Sequence, residues 1–308
     1  MARIIVSEFM DERAVGRLVA AHDVLYDPKL VDDLPRLVHE AASADALLVR
    51  NRTQVRGELL AALGRCRVVG RLGVGLDNID VEACARRGIA VIAATGANAL
   101  SVAEYVIAAA LLLLRGAYRS TGDLVAGRWP RNALGNGREV HGKTLGLVGF
   151  GSIGRLTATL ARGIGMTVVA HDPALDSANA AFDEAGVRAV TLDELVAAAD
   201  VVSLHVPLVA STKNLFDAAR IAAMKPGAVL VNSARGGIVD ESAVVAALKS
   251  GHLGGAALDV FAAEPLGADN PYTDCPNLLL TPHIAGVSAE ANERVSFLIA
   301  DKVTEALR

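Results

Sequence analysis

The sequence predicts an α/β protein made of two doubly wound parallel-sheet domains. Three observations carry that expectation. Short runs rich in Val, Ile and Leu alternate with amphipathic segments from the first residue onward. The alternation pauses at one long apolar stretch and then resumes. The chain has 308 residues, long for one hydrophobic core and ample for two. Strand followed by helix, repeated, is the sequence form of βα units stacked into a parallel sheet.

Taken in order, strands are expected at 3–6, 23–26, 46–49, 67–69 and 89–92, separated by amphipathic helices such as 11–20 and 55–63. A long helix follows at 98–116, with Arg115 near its end and Gly116 just after as a stop signal. Its apolar core, YVIAAALLLL at 105–114, is far shorter than the roughly 20 residues a membrane span needs, so it reads as a buried helix. A polar, Gly-rich loop covers 127–142. The second series has strands at 144–148, 166–171, 187–190, 201–204, 228–231, 256–260 and 278–280, and a closing helix at 288–307. Two series joined by a long helix predict a cleft between two domains.

Composition excludes several classes. The chain is 52% hydrophobic and 21% charged, with a net charge of -4, which argues against a nucleic-acid surface. Cys66, Cys84 and Cys275 are scattered and odd in number, with neither metal-ligand spacing nor a disulfide framework. No metal site is expected, and a reducing cytoplasm suits these thiols. The N-terminus lacks the apolar run of a secretory leader.

Two phosphate-binding patterns overlap between residues 137 and 154. GREVHGKT (137–144) fits the loop of nucleotide hydrolases, but that loop must follow a strand and open a helix. Here it follows a polar loop and precedes the strand LGLV. GFGSIG (149–154) has the opposite context: a strand before it and a helix at 155–164 after it. Gly149 permits the tight turn, Gly151 lets backbone approach a pyrophosphate, and Gly154 lets helix pack closely on strand. The next strand ends at His171-Asp172, about 20 residues on, where a carboxylate grips the adenosine ribose and repels a 2′-phosphate. This is a Rossmann-type site that favours NAD.

The stretches GRLGVGLDNID (70–80), GFGSIG (149–154), HDP (171–173), SLHVPL (203–208), MKPGAVLVNSARGGIVDE (224–241), AALDVFAAEP (256–265) and TPHIAG (281–286) occur in one order along the chain. Over essentially its full length the sequence resembles the D-isomer-specific 2-hydroxyacid dehydrogenases. The resemblance implies a discontinuous substrate-binding domain, 1–97 and 282–308, with the NAD-binding Rossmann domain, 98–281, inserted into it. It implies a homodimer through the cofactor domain, with no membrane or nucleic-acid partner. With the chain stopping at Arg308, no room is expected for the serine-sensing domain of longer relatives.

Moving a hydride from C2 of a hydroxy acid also requires a neutral-range acid/base, and histidine is the natural choice. His22, His39 and His252 lie on polar stretches and read as surface or packing residues. By resemblance His283 is the acid/base, Glu264 its carboxylate partner, and Arg235 the forked donor for the substrate carboxylate. The backbone of Gly73, Val74 and Gly75 is expected to share that carboxylate. On the cofactor side the resemblance places Ser152 and Ile153 at the pyrophosphate and Val206 and Pro207 beside the adenosine. Ser233 and Asp259 fall at the nicotinamide end, Asp259 on the carboxamide. His283 and Gly286 complete the cofactor set.

Substrate identity rests on basic residues. Arg50 and Arg52 stand two apart at a strand end and share a face if the strand persists; Arg71 precedes the glycine loop, and Arg131 is expected to reach across a dimer. Together they point to a second anion on the substrate. Within the family, VRNRTQV (49–55) and TPHIAGVSAEANERVS (281–296) resemble members acting on (S)-3-sulfolactate, and that resemblance implies its oxidation to 3-sulfopyruvate ahead of 3-phosphoglycerate, with hydroxypyruvate or glyoxylate reduction as a further alternative. The sulfonate-bearing arm outranks the carboxylate in naming, so the S label describes the same spatial arrangement as a D-hydroxy acid. A rival of another class is an NAD-sensing corepressor-like binding module, which shares the scaffold and an Arg/Glu/His set.

Overall fold

Among the described residues, twelve strands form two sheets, and neighbouring strands pair in parallel throughout. The computed structural model describes residues 1–308, apart from the side chain of Arg119. The chain divides into a small unit, Met1–Asn98 with Val287–Arg308, and a large unit, Ala99–Gly286.

The small sheet has strands β1 (Arg3–Val6), β2 (Asp23–Tyr26), β3 (Ala46–Val49), β4 (Val68–Arg71) and β5 (Ala90–Ala93), in the order β2-β1-β3-β4-β5. The pleat sends alternate side chains of β1 to opposite faces: Ile4 and Val6 join one core cluster and Ile5 the other. Strand β3, ALLV, is buried along its whole length, as a parallel strand covered on both faces must be. The C-terminal helix Ala289–Ala306 returns to cover one face through Val295, Ile299 and Val303. Gly70 is required there: a Cβ would meet Ile299 and Val303 at 2.9 Å.

The large sheet has β6 (Thr144–Val148), β7 (Thr167–His171), β8 (Arg188–Ala189), β9 (Val201–Leu204), β10 (Ala228–Asn232), β11 (Leu253–Leu258) and β12 (Leu278–Leu280), in the order β12-β11-β10-β9-β6-β7-β8. The long helix Ala99–Arg115 packs Val106, Ala109, Ala110 and Leu113 into one face of this unit. No described helix is long and apolar enough to cross a membrane.

Each sheet has one point at which the strand order reverses, between β1 and β3 and between β6 and β9. In open α/β sheets ligands bind outside the carboxyl ends of the strands at such a point.

Where the structure departs from the sequence-based expectation, glycine is the usual reason. Strand β11 begins at Leu253, three residues ahead of expectation, because Gly254 and Gly255 weaken the strand signal. Gly254 is nevertheless required, since a Cβ would lie 2.4 Å from the Gly227 carbonyl oxygen. The helix expected at 155–164 starts at Ser152 and runs to Gly163, so the motif's last glycine sits inside its first turn. The edge strand β8 is only two residues long. Residues 137–143 turn directly into β6 with no helix following, which rules out the hydrolase loop.

Candidate active site

In the large unit the proposed functional side chains lie on loops at the carboxyl ends of adjoining strands. At the β6/β9 reversal, Gly149 has φ of 101°, a region that only glycine occupies without strain. A Cβ there would sit 2.7 Å from the His205 carbonyl oxygen. Gly151 faces open space: a Cβ added to it would meet nothing within 4 Å. It precedes the helix Ser152–Gly163 without a side-chain cap. The first helical N–H groups, including those of Ser152 and Ile153, are therefore not satisfied by a side-chain cap, the condition under which a helix start can receive an anion. Gly154 lies against the Gly149 carbonyl, 2.4 Å from its would-be Cβ. The three glycines thus meet the three requirements of a dinucleotide turn.

Asp172 follows β7 and accepts from Phe150 N at 2.7 Å and Ala174 N at 2.9 Å. It ties the glycine turn to the end of the neighbouring strand while leaving lone pairs for a ribose. A cavity of about 460 Å³ adjoins it, lined by Asp172, Pro173, Phe182, Val190 and Thr191. Val206 and Pro207 follow β9, and the Pro207 carbonyl is fixed by the Thr212 hydroxyl at 2.6 Å. Ser233, after β10, has a buried hydroxyl with no partner among the described residues. An open glycine turn and an uncapped helix after β6, with an orphaned hydroxyl two strands away after β10, fit a dinucleotide with a polar nicotinamide end.

The acid–base pair is formed. His283 Nδ1 donates to Glu264 Oε2 at 2.8 Å, and Glu264 Oε1 accepts from Phe261 N at 2.9 Å. With Nδ1 committed to the carboxylate, Nε2 is the nitrogen available to a substrate. Both side chains keep some exposure, 44% for His283 and 35% for Glu264. Arg235 is brought to this corner by a close backbone approach: a Cβ at Gly236 would lie 1.8 Å from the Phe261 carbonyl oxygen. Asn232, buried at the end of β10, shapes the turn by donating to the Arg235 carbonyl and accepting from Ala234 N.

Asp259 is 1% exposed. Its Oδ1 accepts from the Thr281 hydroxyl (2.6 Å) and Ile284 N (2.8 Å), and its Oδ2 accepts from Ala285 N (2.8 Å). The His283 N–H donates to the Asp259 carbonyl at 2.8 Å. This network holds His283 at φ of 56°, a left-handed conformation that costs a non-glycine residue roughly 1–3 kcal/mol. The Tyr105 hydroxyl, from the long helix, reaches Thr281 at 2.8 Å and extends the chain of bonds. Oδ2, with a single donor, retains the lone pair a carboxamide would use. Gly286 ends the same loop.

The small unit holds the basic residues. Arg71 ends β4 opposite Val49, the last residue of β3, so Arg50 and Arg71 stand at neighbouring strand ends. A Cβ at Gly73 would fall 1.7 Å from the Arg71 guanidinium, and the Gly73 N–H donates to the Arg71 carbonyl at 2.8 Å. Strand β3 does not persist past Val49, so Arg50 and Arg52 do not share a strand face. The loop turns away because its backbone is captured: Glu8 accepts the N–H groups of Arg50, Arg52 and Thr53, while Asn78 donates to the carbonyls of Arg50 and Thr53. The two arginines then part. Arg52 is exposed and paired with Asp32. Arg50 is half-buried, donates to Asn292 Oδ1 at 2.8 Å and lies 5.5 Å from the Phe9 ring centroid. Burial lowers its pKa, only partly offset by Glu8. Arg131 is exposed in the 127–142 loop.

Sequence reasoning missed Glu8, Asn78, Asn292, Tyr105 and Thr281. Local spacing gives no sign of them, since the side-chain bonds they make span 22 positions at the least, between Thr281 and Asp259, and 42 between Glu8 and Arg50. Among the described residues no cluster of metal-ligating side chains is present.

A family model for the D-isomer specific 2-hydroxyacid dehydrogenase, NAD binding domain, matches residues 107–285. An (S)-sulfolactate dehydrogenase of Chromohalobacter salexigens is 53% identical over 307 residues, covering 100% of this chain and 99% of the relative. A D-3-phosphoglycerate dehydrogenase of Mycobacterium leprae is 41% identical over 89% of this chain, which spans 51% of that relative's length. Among solved structures, an NAD-dependent formate dehydrogenase of Staphylococcus aureus in complex with NAD superposes with a TM-score of 0.83 at 28% identity, over 100% of this chain and 96% of that one.

Proposed function

The chain belongs to the D-isomer-specific 2-hydroxyacid dehydrogenases, and from that membership we propose that its substrate pair is (S)-3-sulfolactate and 3-sulfopyruvate. The family assignment makes it an NAD-dependent oxidoreductase of small 2-hydroxy acids. The sulfonate reading goes further. The observation that carries it is Arg50: a half-buried guanidinium with no carboxylate at salt-bridge distance among the described residues, at the carboxyl end of the small sheet's reversal point. A desolvated cation without a counter-ion favours binding an anion. The full-length likeness to a sulfolactate dehydrogenase supports the same choice.

When bound, NAD supplies the hydride acceptor. The residues of the chain do the rest. Arg235 grips the substrate carboxylate through two parallel N–H bonds. His283 Nε2 takes the C2 hydroxyl proton during oxidation, and Glu264 stabilises the imidazolium through Nδ1. In the reverse direction the same nitrogen returns the proton to the carbonyl oxygen. Asp259 keeps the 281–285 loop in place, and Arg50 with Arg71 receives the second acid group. Asp172 holds the ribose and, with Ser152, Ile153, Val206, Pro207, Ser233 and Gly286, seats the cofactor. Dimerisation through the large unit is part of this reading, supported by the exposed Tyr118, Leu124, Val125 and Trp129.

Steady-state kinetics with (S)-3-sulfolactate and D-3-phosphoglycerate test the substrate. A kcat/KM higher for the sulfonate is the expected result. A higher value for the phosphate ester would transfer the assignment to 3-phosphoglycerate, the reading that the 41% identical relatives favour.

A further inference from the structure

We propose that Glu8 is the positioning residue that makes Arg50 a receptor for the substrate's second acid group. Glu8 touches neither substrate nor cofactor in this proposal; it acts through the 50–53 loop, and the proposal rests on the reading of Arg50 given above.

Glu8 lies two residues past β1, and Arg50 follows β3 directly, so the pair occupies the two sides of the small sheet's reversal point. Glu8 is 4% exposed. A buried carboxylate normally answers a cation, yet this one forms no salt bridge among the described residues. Its acceptors are instead filled by backbone. Oε1 receives Arg50 N at 2.8 Å and Thr53 N at 2.9 Å, and Oε2 receives Arg52 N at 3.1 Å. Asn78 takes the carbonyls of two of the same residues, donating to Arg50 O at 3.0 Å and Thr53 O at 2.7 Å. Ser7, the neighbour of Glu8, bonds the Thr53 hydroxyl at 3.0 Å.

The consequence is a fixed Cα for Arg50 that no local sequence preference dictates. Its guanidinium is then set from the side: Nη2 donates to Asn292 Oδ1, and the Phe9 ring, next to Glu8 in sequence, lies beneath Cζ. Residues 8 and 9 thus act together, one on the backbone of Arg50 and one on its charged head. Because its oxygens are occupied by N–H groups, the carboxylate anchors the arginine without an ion-pair contact to it, and its charge offsets only part of the cost of burying the guanidinium. A salt bridge to the same guanidinium would hold Arg50 equally still but would compete with a sulfonate or phosphate. Arg52 shows that alternative, paired with Asp32 at the surface. Preorganised cations of this kind discriminate by the second anion and leave the hydride step alone.

The test is Glu8→Gln, which keeps shape but turns one acceptor into an NH₂ group facing an N–H donor. KM for (S)-3-sulfolactate is expected to rise roughly tenfold. The value of kcat, the affinity for NAD and kcat/KM for D-lactate, which has a single acid group, are expected to stay within about twofold. If Glu8→Gln does not fold, Glu8→Asp serves, since the shorter arm cannot reach both ends of the loop. An unchanged KM for the dianion overturns the proposal. So does an equal loss on sulfolactate and D-lactate, the signature of a merely structural role. Arg50→Ala, measured in parallel with both dianions, separates the two levels. If Arg50→Ala raises KM and Glu8→Gln does not, the positioning role falls and the reading of Arg50 stands. If Arg50→Ala changes neither dianion's KM, the reading of Arg50 falls and takes this proposal with it.

Discussion

The two sheets place their chemistry at equivalent points and equip them in different ways. At the β6/β9 reversal of the large unit, Gly149 presses on the His205 carbonyl, Gly151 faces open space, and the Asp172 carboxylate accepts the Phe150 N–H from the neighbouring strand's end. At the β1/β3 reversal of the small unit, a buried carboxylate fills the corresponding corner and gathers three N–H groups. At one, Gly151 leaves backbone open to space; at the other, Glu8 fixes the backbone of Arg50. The filled device has a counterpart in the large unit. Asp259, just beyond β11, collects the N–H groups of Ile284 and Ala285 from the loop beyond the adjacent β12, as Glu8 does for the loop beyond β3. The clamp is the same, and the residue on the clamped loop differs: His283 in one case, Arg50 in the other.

The proposed proton-transfer residues, His283 and Glu264, both lie in the large unit. His283→Ala is therefore expected to lower kcat by roughly 10³-fold while NAD affinity, measured by fluorescence titration, is unchanged. Loss of NAD binding in that variant would mean the clamped loop serves the cofactor rather than the proton. Next in size, Gly149→Ala puts a methyl 2.7 Å from the His205 carbonyl. It is expected to weaken NAD at least about 100-fold, since a contact that close forces the turn open. Normal NAD affinity would show that the open glycine turn is not the cofactor's. The small unit's contrast is between its two arginines. Arg50→Ala is expected to raise KM for the dianionic substrate about tenfold, and Arg52→Ala less than about twofold, because a surface ion pair contributes little. Equal effects would erase the distinction that Glu8 and Asn292 create.

The smallest expected effect concerns His205, whose ring nitrogen Nε2 meets the Ser203 hydroxyl at 3.0 Å. Burial pushes its pKa down from 6.5 to about 4. Between those values the unfolded chain binds a proton that the native one does not, so stability falls as pH drops from 6.5 towards 4. After allowance for the ring's residual exposure, the loss is about 2 kcal/mol. Urea titrations at pH 7 and pH 4.5 read it as the difference between the wild type and His205→Gln, which has no such proton to bind. A variant that loses as much stability as the wild type over this interval would show that the imidazole is not the group responsible.

Much of this was legible in the sequence because it is local. The strand–helix alternation gave both sheets, and the glycine spacing gave the dinucleotide turn, since each glycine answers a steric demand within a few residues. Arg235, Glu264 and His283 were recognisable through their motifs. Glu8 was not, although it is a plain acidic residue after an apolar strand, because its partners lie 42 to 45 positions away. The expectation that Arg50 and Arg52 share a face failed for the same reason: local spacing extends β3, and a carboxylate from another strand ends it.

The sequence by itself determined the two sheets and the conformation of the glycine turn, because periodicity and short-range sterics are written in consecutive residues. Only the tertiary structure decided that Arg50 makes no salt bridge among the described residues while Arg52 makes one, and that His283 is held in a left-handed conformation by a carboxylate beyond a neighbouring strand. Those facts depend on which buried acceptor finds which N–H group. In a parallel sheet, whose neighbouring strands are joined by long crossovers, that pairing is set by the order of the strands rather than by their sequence spacing.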